Sequence, residues 1–138
     1  LAWITPKTNW TATDYLNFGD LNRIENNIKY LSDYLNTFMT SPTISTSVLN
    51  RDKFYIEYYT GLNRIETDIL SLKIYTPFMT WIDPKTTWVE LDAISYIDLN
   101  RMENDILALK DLIDKMIDAF RYCGEERSIC GTELQNLN

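Results

Sequence analysis

Histidine is absent from all 138 residues. Its absence removes the commonest general base and the commonest metal ligand together. Glycine is scarce, with four in the chain, and none sits in a phosphate-cradling pattern. No HExxH, nucleophile elbow or calcium loop occurs in the sequence, so the expectation is a non-enzyme with no cofactor and no metal. Positive charge is also short: 13 Lys and Arg stand against 20 Asp and Glu, a net charge of −7. Binding phosphates needs a basic face that displaces counterions, so nucleic acid is excluded as the expected partner. The same charge disfavours an anionic membrane surface. No apolar run nears the ~20 residues of a spanning helix, and nothing near Leu1 resembles a secretory signal. Only two cysteines occur, Cys123 and Cys130. Their spacing matches no standard zinc pattern. It leaves open a disulfide closing a small loop across Gly124 to Ile129, or two free thiols.

What the chain does have is an apolar fraction of 45% and an aromatic fraction of 13%, which argue against disorder. It also repeats itself. Residues 3–31 and 81–109 align without a gap at an offset of 78 and share 15 of 29 positions. A third, truncated copy, GLNRIETDILSL, lies between them at 61–72. A period of about 37 to 41 residues signals one supersecondary unit used several times, each needing its neighbours to bury an apolar face.

Each unit reads as an irregular segment followed by a helix. Leu21, Ile24, Ile28, Leu31, Leu35 and Phe38 fall at steps of three and four, a heptad seam. Leu62, Ile65, Ile69 and Leu72 repeat it, as do Leu99, Met102, Ile106, Leu109, Ile113, Met116 and Phe120. Asn17 before Asp20, and Ser95 before Asp98, mark helix starts with a capping side chain and an acid three residues on. The middle helix lacks that signal and has Tyr58 and Gly61 at the matching places, with Gly61 a weak point. The first helix is expected to end between Phe38 and Thr40, the second before Pro77, and the third near Tyr122 with Gly124 as its C-terminal cap. Residues 47–59 leave a fourth short helix or a strand open. The expected fold is all-α: three pseudo-repeated heptad helices packed as a bundle, with Trp/Pro loops bracing one end. It forms one helical repeat domain over residues 1–122, with repeats at about 3–40, 47–76 and 81–122 and a tail at 123–138. A rival arrangement packs the helices between chains.

Two polar or aromatic constellations recur outside the seam. The first is Asn-Arg-x-Glu: Asn22, Arg23, Glu25; Asn63, Arg64, Glu66; Asn100, Arg101, Glu103. One reading is structural, with Arg and Glu pairing across adjacent helices, and the planar guanidinium fork favours it. The sharper reading is a polar site built three times about a pseudo-threefold axis. Arg64–Asp68 and Arg101–Asp105 also have the i,i+4 spacing of a surface pair. The second constellation is Trp-Ile-x-Pro-Lys-Thr-x-Trp, which holds all four tryptophans: Trp3, Trp10, Trp81 and Trp88. Packing of the indoles over the bundle end is the simpler reading. An aromatic platform for a cell-surface glycan or a partner protein is the alternative.

The strings PKTNWTATDYLNFGDLNRIENNIKYL and PKTTWVELDAISYIDLNRMENDILAL resemble a module in tail or baseplate proteins of phages and prophages of Gram-positive bacteria. The resemblance covers most of residues 3–112 and stops before Tyr122. It implies a structural or attachment role in a virion, made in the bacterial cytoplasm, with other tail proteins or further copies of this chain as partners. It implies no catalytic residues. The middle copy departs from the pattern by lacking the tryptophan loop.

Overall fold

A computed structural model describes residues 1–37, 39–75 and 80–125, with 74–75 and 120–125 described by backbone alone. The architecture is an all-α bundle of three helices, α1 (Phe18–Leu35), α2 (Tyr59–Ser71) and α3 (Tyr96–Glu125), with a 3₁₀ turn at Leu72–Tyr75 extending α2. No strand occurs among the described residues. The two expected seams of α1 and α2 are the core: Leu21, Ile24, Ile28, Leu31 and Leu35 meet Ile65, Ile69 and Leu72, with Leu62 buried beside them. From α3 come Leu99, Met102, Ile106, Leu109 and Ile113. Ile117 then takes the buried place and Met116 is only half-buried, because a straight helix drifts from a strict seven-residue repeat. Each such side chain contributes roughly 1.5–3 kcal/mol before ordering entropy. One helix has no means of burying its own stripe, and here all three stripes close on each other within a single chain.

Helix ends follow local chemistry. Asn17 accepts from Gly19 and Asp20 N–H while Asp20 reaches back to Asn17 N–H, a complete capping box. At α3, Asp98 takes both the N–H and the hydroxyl of Ser95. The start of α2 at Tyr59 has no side-chain cap. The first helix stops at Leu35, earlier than periodicity suggests. Asn36 and Thr37 explain the early stop: Thr37 Oγ1 donates to Tyr34 O at 2.7 Å, and Asn36 Oδ1 accepts from Ser41 N at 2.8 Å. Such local bonds compete with the next helical turn. Gly124 lies inside the last turn of α3 instead of capping it. Phe38, Phe120, the 126–138 tail and the Cys123–Cys130 pairing fall outside the described side chains.

Residues 47–58 form neither helix nor strand; they are an extended loop with one turn at Lys53–Phe54. All three loops behave alike, climbing the groove between two helices toward the next helix start. The first begins with Trp3 against Tyr30 of α1, ring centroids 5.6 Å apart, and ends at the Asn17 cap. Arg23 of α1 meets Glu103 of α3, Arg101 of α3 meets Glu66 of α2, and Arg64 of α2 meets Glu25 of α1. Equivalent turns of the three helices therefore lie level, and the helices run parallel. Their N-termini gather at one end.

Candidate functional site

The three Asn-Arg-x-Glu sets form one closed cycle at this level of the bundle. Each glutamate is buried, with Glu25, Glu66 and Glu103 at 1%, 0% and 1% exposure. Each is surrounded by donors, as a buried carboxylate must be. Glu103 accepts from Arg23 Nε at 2.7 Å and Nη2 at 3.0 Å, from Lys7 N at 3.1 Å and from the Trp10 indole N–H at 2.5 Å. Glu66 accepts from Arg101 Nε and Nη2 at 3.1 and 2.6 Å, from Lys85 N at 3.0 Å and from the Trp88 indole. Glu25 accepts from Arg64 Nη1 and Nη2 at 2.5 and 2.9 Å, from Val48 N at 3.2 Å and from Arg51. Each arginine thus ties one helix to the next, and each glutamate ties a helix to a loop.

The asparagines complete the attachment. Asn100 accepts the Trp10 N–H at 2.8 Å and donates to the Trp10 carbonyl at 3.0 Å, so its amide brackets one loop residue as a neighbouring strand would. Asn63 does this for Trp88, and Asn22 for Arg51. A second bracket lies lower in each loop: Asn27 holds Ile4 through both N–H and carbonyl, at 3.0 and 2.7 Å. Its repeat equivalents are acids. Asp68 accepts from Ser45 N at 3.0 Å, and Asp105 takes the Ile82 N–H. Burial, the largest influence, raises the pKa of Asp68, and the Ser45 bonds oppose it. The pairs Arg64–Asp68 and Arg101–Asp105 expected from spacing do not form; both arginines turn to the neighbouring helix and both aspartates, 3% exposed, turn to a loop.

The loop motif is explained by the same contacts. Trp10 and Trp88 insert into the groove at 4% and 2% exposure. Lys7 and Lys85 lie over those indoles, 4.2 and 4.0 Å from the ring centroids, and pair with Asp14 and Asp92 at 3.3 Å. Asp14 and Asp92 close the turn by accepting Thr11 N–H and Val89 N–H, which holds their carboxyls below the usual range. A four-indole platform therefore does not exist: two of its members are core residues. Trp3 and Trp81 remain, each packed in part against the cluster.

The middle loop shares the arrangement despite lacking a tryptophan. Arg51 stands where Trp10 and Trp88 stand, 4% exposed, donating to Glu25 and Glu57. The third copy is therefore full length rather than truncated. Glu57 lies against the first turn of α2, where a Cβ at Gly61 would come within 1.7 Å of its Oε1. Gly61 is thus the space that admits the arginine's second partner. Gly61→Ala should destabilise the chain in urea unfolding, although alanine gains about 1 kcal/mol of helix propensity. The Glu57 side chain must swing off Arg51 to make room. A stabilised Gly61→Ala variant would show that Glu57 has no need of that position.

Burial works against the charges of Arg23 and Arg101, but their carboxylate partners outweigh it and both guanidinium pKa values are raised. For Arg64 the Glu25 hydrogen bond is the largest influence, in the same direction. The glutamates hold no oxygen free for a substrate: four donors converge on each. No group of three or more His, Cys, Asp or Glu suited to a metal ion occurs among the described residues. The set Asn22, Arg23, Glu25, Asn63, Arg64, Glu66, Asn100, Arg101 and Glu103 is a lock. No family model, no curated protein and no solved structure matches this chain.

Proposed function

We propose that the chain is a non-enzymatic assembly module that joins other proteins, and that it serves as a connector in a phage tail or baseplate. One observation carries the assembly reading: most of the large exposed apolar side chains flank the three helix starts, with Leu1, Ile4, Leu70 and Ile82 lying elsewhere. Tyr15 and Phe18 lie at the start of α1, Phe54, Ile56, Tyr58 and Tyr59 at that of α2, and Leu91, Tyr96 and Ile97 at that of α3. Exposed apolar side chains concentrated in one region mark interaction sites, and tyrosine is favoured in them. Leu91 is 97% exposed and holds a φ of 76°, a left-handed conformation that costs a leucine roughly 1–2 kcal/mol. Strain of this kind gathers at functional segments. The polar lock below ties the three helix starts to one another, which limits the ordering cost of docking. The virion assignment rests on the motif resemblance. No helix among the described residues is long and apolar enough to cross a membrane.

Peptide mass spectrometry of purified phage particles induced from the source organism tests the reading. The expected result is this chain at stoichiometric levels in particles. Its confinement to the lysate or medium would remove the virion role. A Tyr15→Ser, Tyr58→Ser, Leu91→Ser variant should fold and yet be lost from particles; its full incorporation would exclude the aromatic end as the docking surface.

A further inference from the structure

In two repeat columns, Asn22, Asn63, Asn100 and Asn27, Asp68, Asp105, six helix side chains each hold the backbone of one loop residue. Four of those side chains are asparagines, whose amides both accept and donate, and two are Asp68 and Asp105. The two acids differ. Asp68 receives the Ser45 N–H at 3.0 Å, and the Ser45 side chain also favours its charged form. Asp105 receives the Ile82 N–H, while its Oδ2 is buried and has no partner among the described residues. Asp105 lies 78 residues after Asn27, and Ile82 lies 78 after Ile4. In the first copy the atom equivalent to that lone oxygen is Asn27 Nδ2, which donates to the Ile4 carbonyl at 2.7 Å. By this equivalence with Asn27, an ionised carboxylate would set a bare oxygen toward the Ile82 carbonyl in a buried site, an arrangement with a substantial desolvation cost.

We infer that on the acid side of neutrality Asp105 is a neutral carboxylic acid in the folded chain, that its O–H donates to the Ile82 carbonyl as the Asn27 amide does to Ile4, and that the last loop is therefore fastened by a pH-sensitive latch. Raising the pH releases this one proton to solvent and leaves a carboxylate facing the carbonyl. The first loop, held by Asn27, has no such dependence. The surroundings agree. Burial, the largest influence, pushes the Asp105 carboxyl up to about 7. The Ile82 N–H and Arg101, one turn earlier on α3, favour ionisation; Glu66 from α2 and Asp83 from the loop oppose it. Arg101 is already committed to Glu66 and Asp98, at 2.6 and 2.7 Å, and forms no ion pair with Asp105.

The sign follows from proton counting. Between the ordinary aspartate value of about 4 and the folded value of about 7, the folded chain holds a proton that the unfolded chain has lost. This group's stabilisation is complete below the lower value, falls as pH rises, and is gone above the upper one. Its effect on the folding constant approaches tenfold per pH unit within that window. Asp105→Asn carries the amide of the first copy and should remove this dependence.

Two measurements test the latch. In a carboxyl ¹³C titration of the wild-type chain, the resonance missing from Asp105→Asn should show its midpoint near neutrality; a midpoint in the ordinary aspartate range would overturn the proposal. In urea unfolding, the advantage of Asp105→Asn over wild type should grow from about pH 4 to about pH 7 and then level off. A difference that stays constant over that range would overturn it equally. Repeating the comparison in an Asp68→Asn background should leave the growing difference in place, and its disappearance there would assign the proton to Asp68 and sink the claim for Asp105.

Discussion

Glu66→Ala should cost about 3–5 kcal/mol, the range for removing one partner of a buried ion pair. Set against a total stability of roughly 5–15 kcal/mol, that loss brings the chain close to unfolding at room temperature. Alanine would leave the Trp88 indole and the Lys85 N–H without an acceptor and strip Arg101 of two of its three hydrogen bonds. Asp98 remains for Arg101 at 2.7 Å, so the arginine does not become an isolated charge; the loop suffers more than the helix pair. Glu66→Gln separates shape from charge. It keeps one acceptor oxygen, but its amide nitrogen must face either the Trp88 N–H or the Arg101 guanidinium, donor against donor. Its expected cost is about 1.5–3 kcal/mol, the span of hydrogen bonds to charged groups. Urea unfolding followed by helical circular dichroism, with an unchanged denaturant slope, measures both. A loss below about 1 kcal/mol for alanine, the range of exposed pairs, would mean the cycle is ornamental and the apolar seam alone holds the helices in register.

The seam itself was legible because helical burial repeats every three or four residues, and Ile24, Ile65 and Met102 are each fully buried where that period places them. The polar cycle was legible only in part. Asn, Arg and Glu recur outside the seam, so a packing role across helices could be read, but the identity of each partner could not. Arg23 and Glu103 are 80 residues apart, Arg64 and Glu25 39, and Arg101 and Glu66 35; only the folded cycle decides which helix follows which. Local spacing misled at Arg64–Asp68 and Arg101–Asp105, because an i,i+4 pair contributes a few tenths of a kcal/mol on a surface and yields easily to a bidentate partner on the next helix. Asp68 and Asp105 were read only as partners of those arginines, although with Asn27 they occupy one repeat column, immediately before a seam isoleucine. A polar residue kept beside the core in all three copies was the available signal. Arg51 also had one: it lies 12 residues before Asn63, as Trp10 lies 12 before Asn22 and Trp88 12 before Asn100. Low letter similarity concealed that register, since SVLNR and PKTNW share only the asparagine before the key position.

Arg51→Ala should be the second severe loss, about 3–5 kcal/mol by the same reasoning, and it tests whether the third copy was rebuilt as a unit. The arginine side chain is fully buried, donating to Glu25, to Glu57 at 2.7 Å and to the Val48 carbonyl at 2.7 Å. Glu25 retains Arg64 when Arg51 is gone. Glu57 does not, and its carboxyl stays pressed against the glycine turn of α2 with no ion pair among the described residues. Restoring the residue found in the other copies should not help. In Arg51→Trp the indole N–H can serve Glu25 as Trp88 serves Glu66, yet Glu57 is again left unpaired and the ring competes with it for space. Removing Glu57 in that background should recover part of the loss, because the arginine, the glutamate and the glycine were exchanged for a tryptophan site together. A double-mutant cycle on Arg51→Ala and Glu57→Ala puts a number on this. Coupling of about 0.5–3 kcal/mol is expected for residues sharing one buried network. Additivity within about 0.3–0.5 kcal/mol would show instead that Arg51 acts through Glu25 alone, and that Glu57 and Gly61 belong to the start of α2 rather than to the lock.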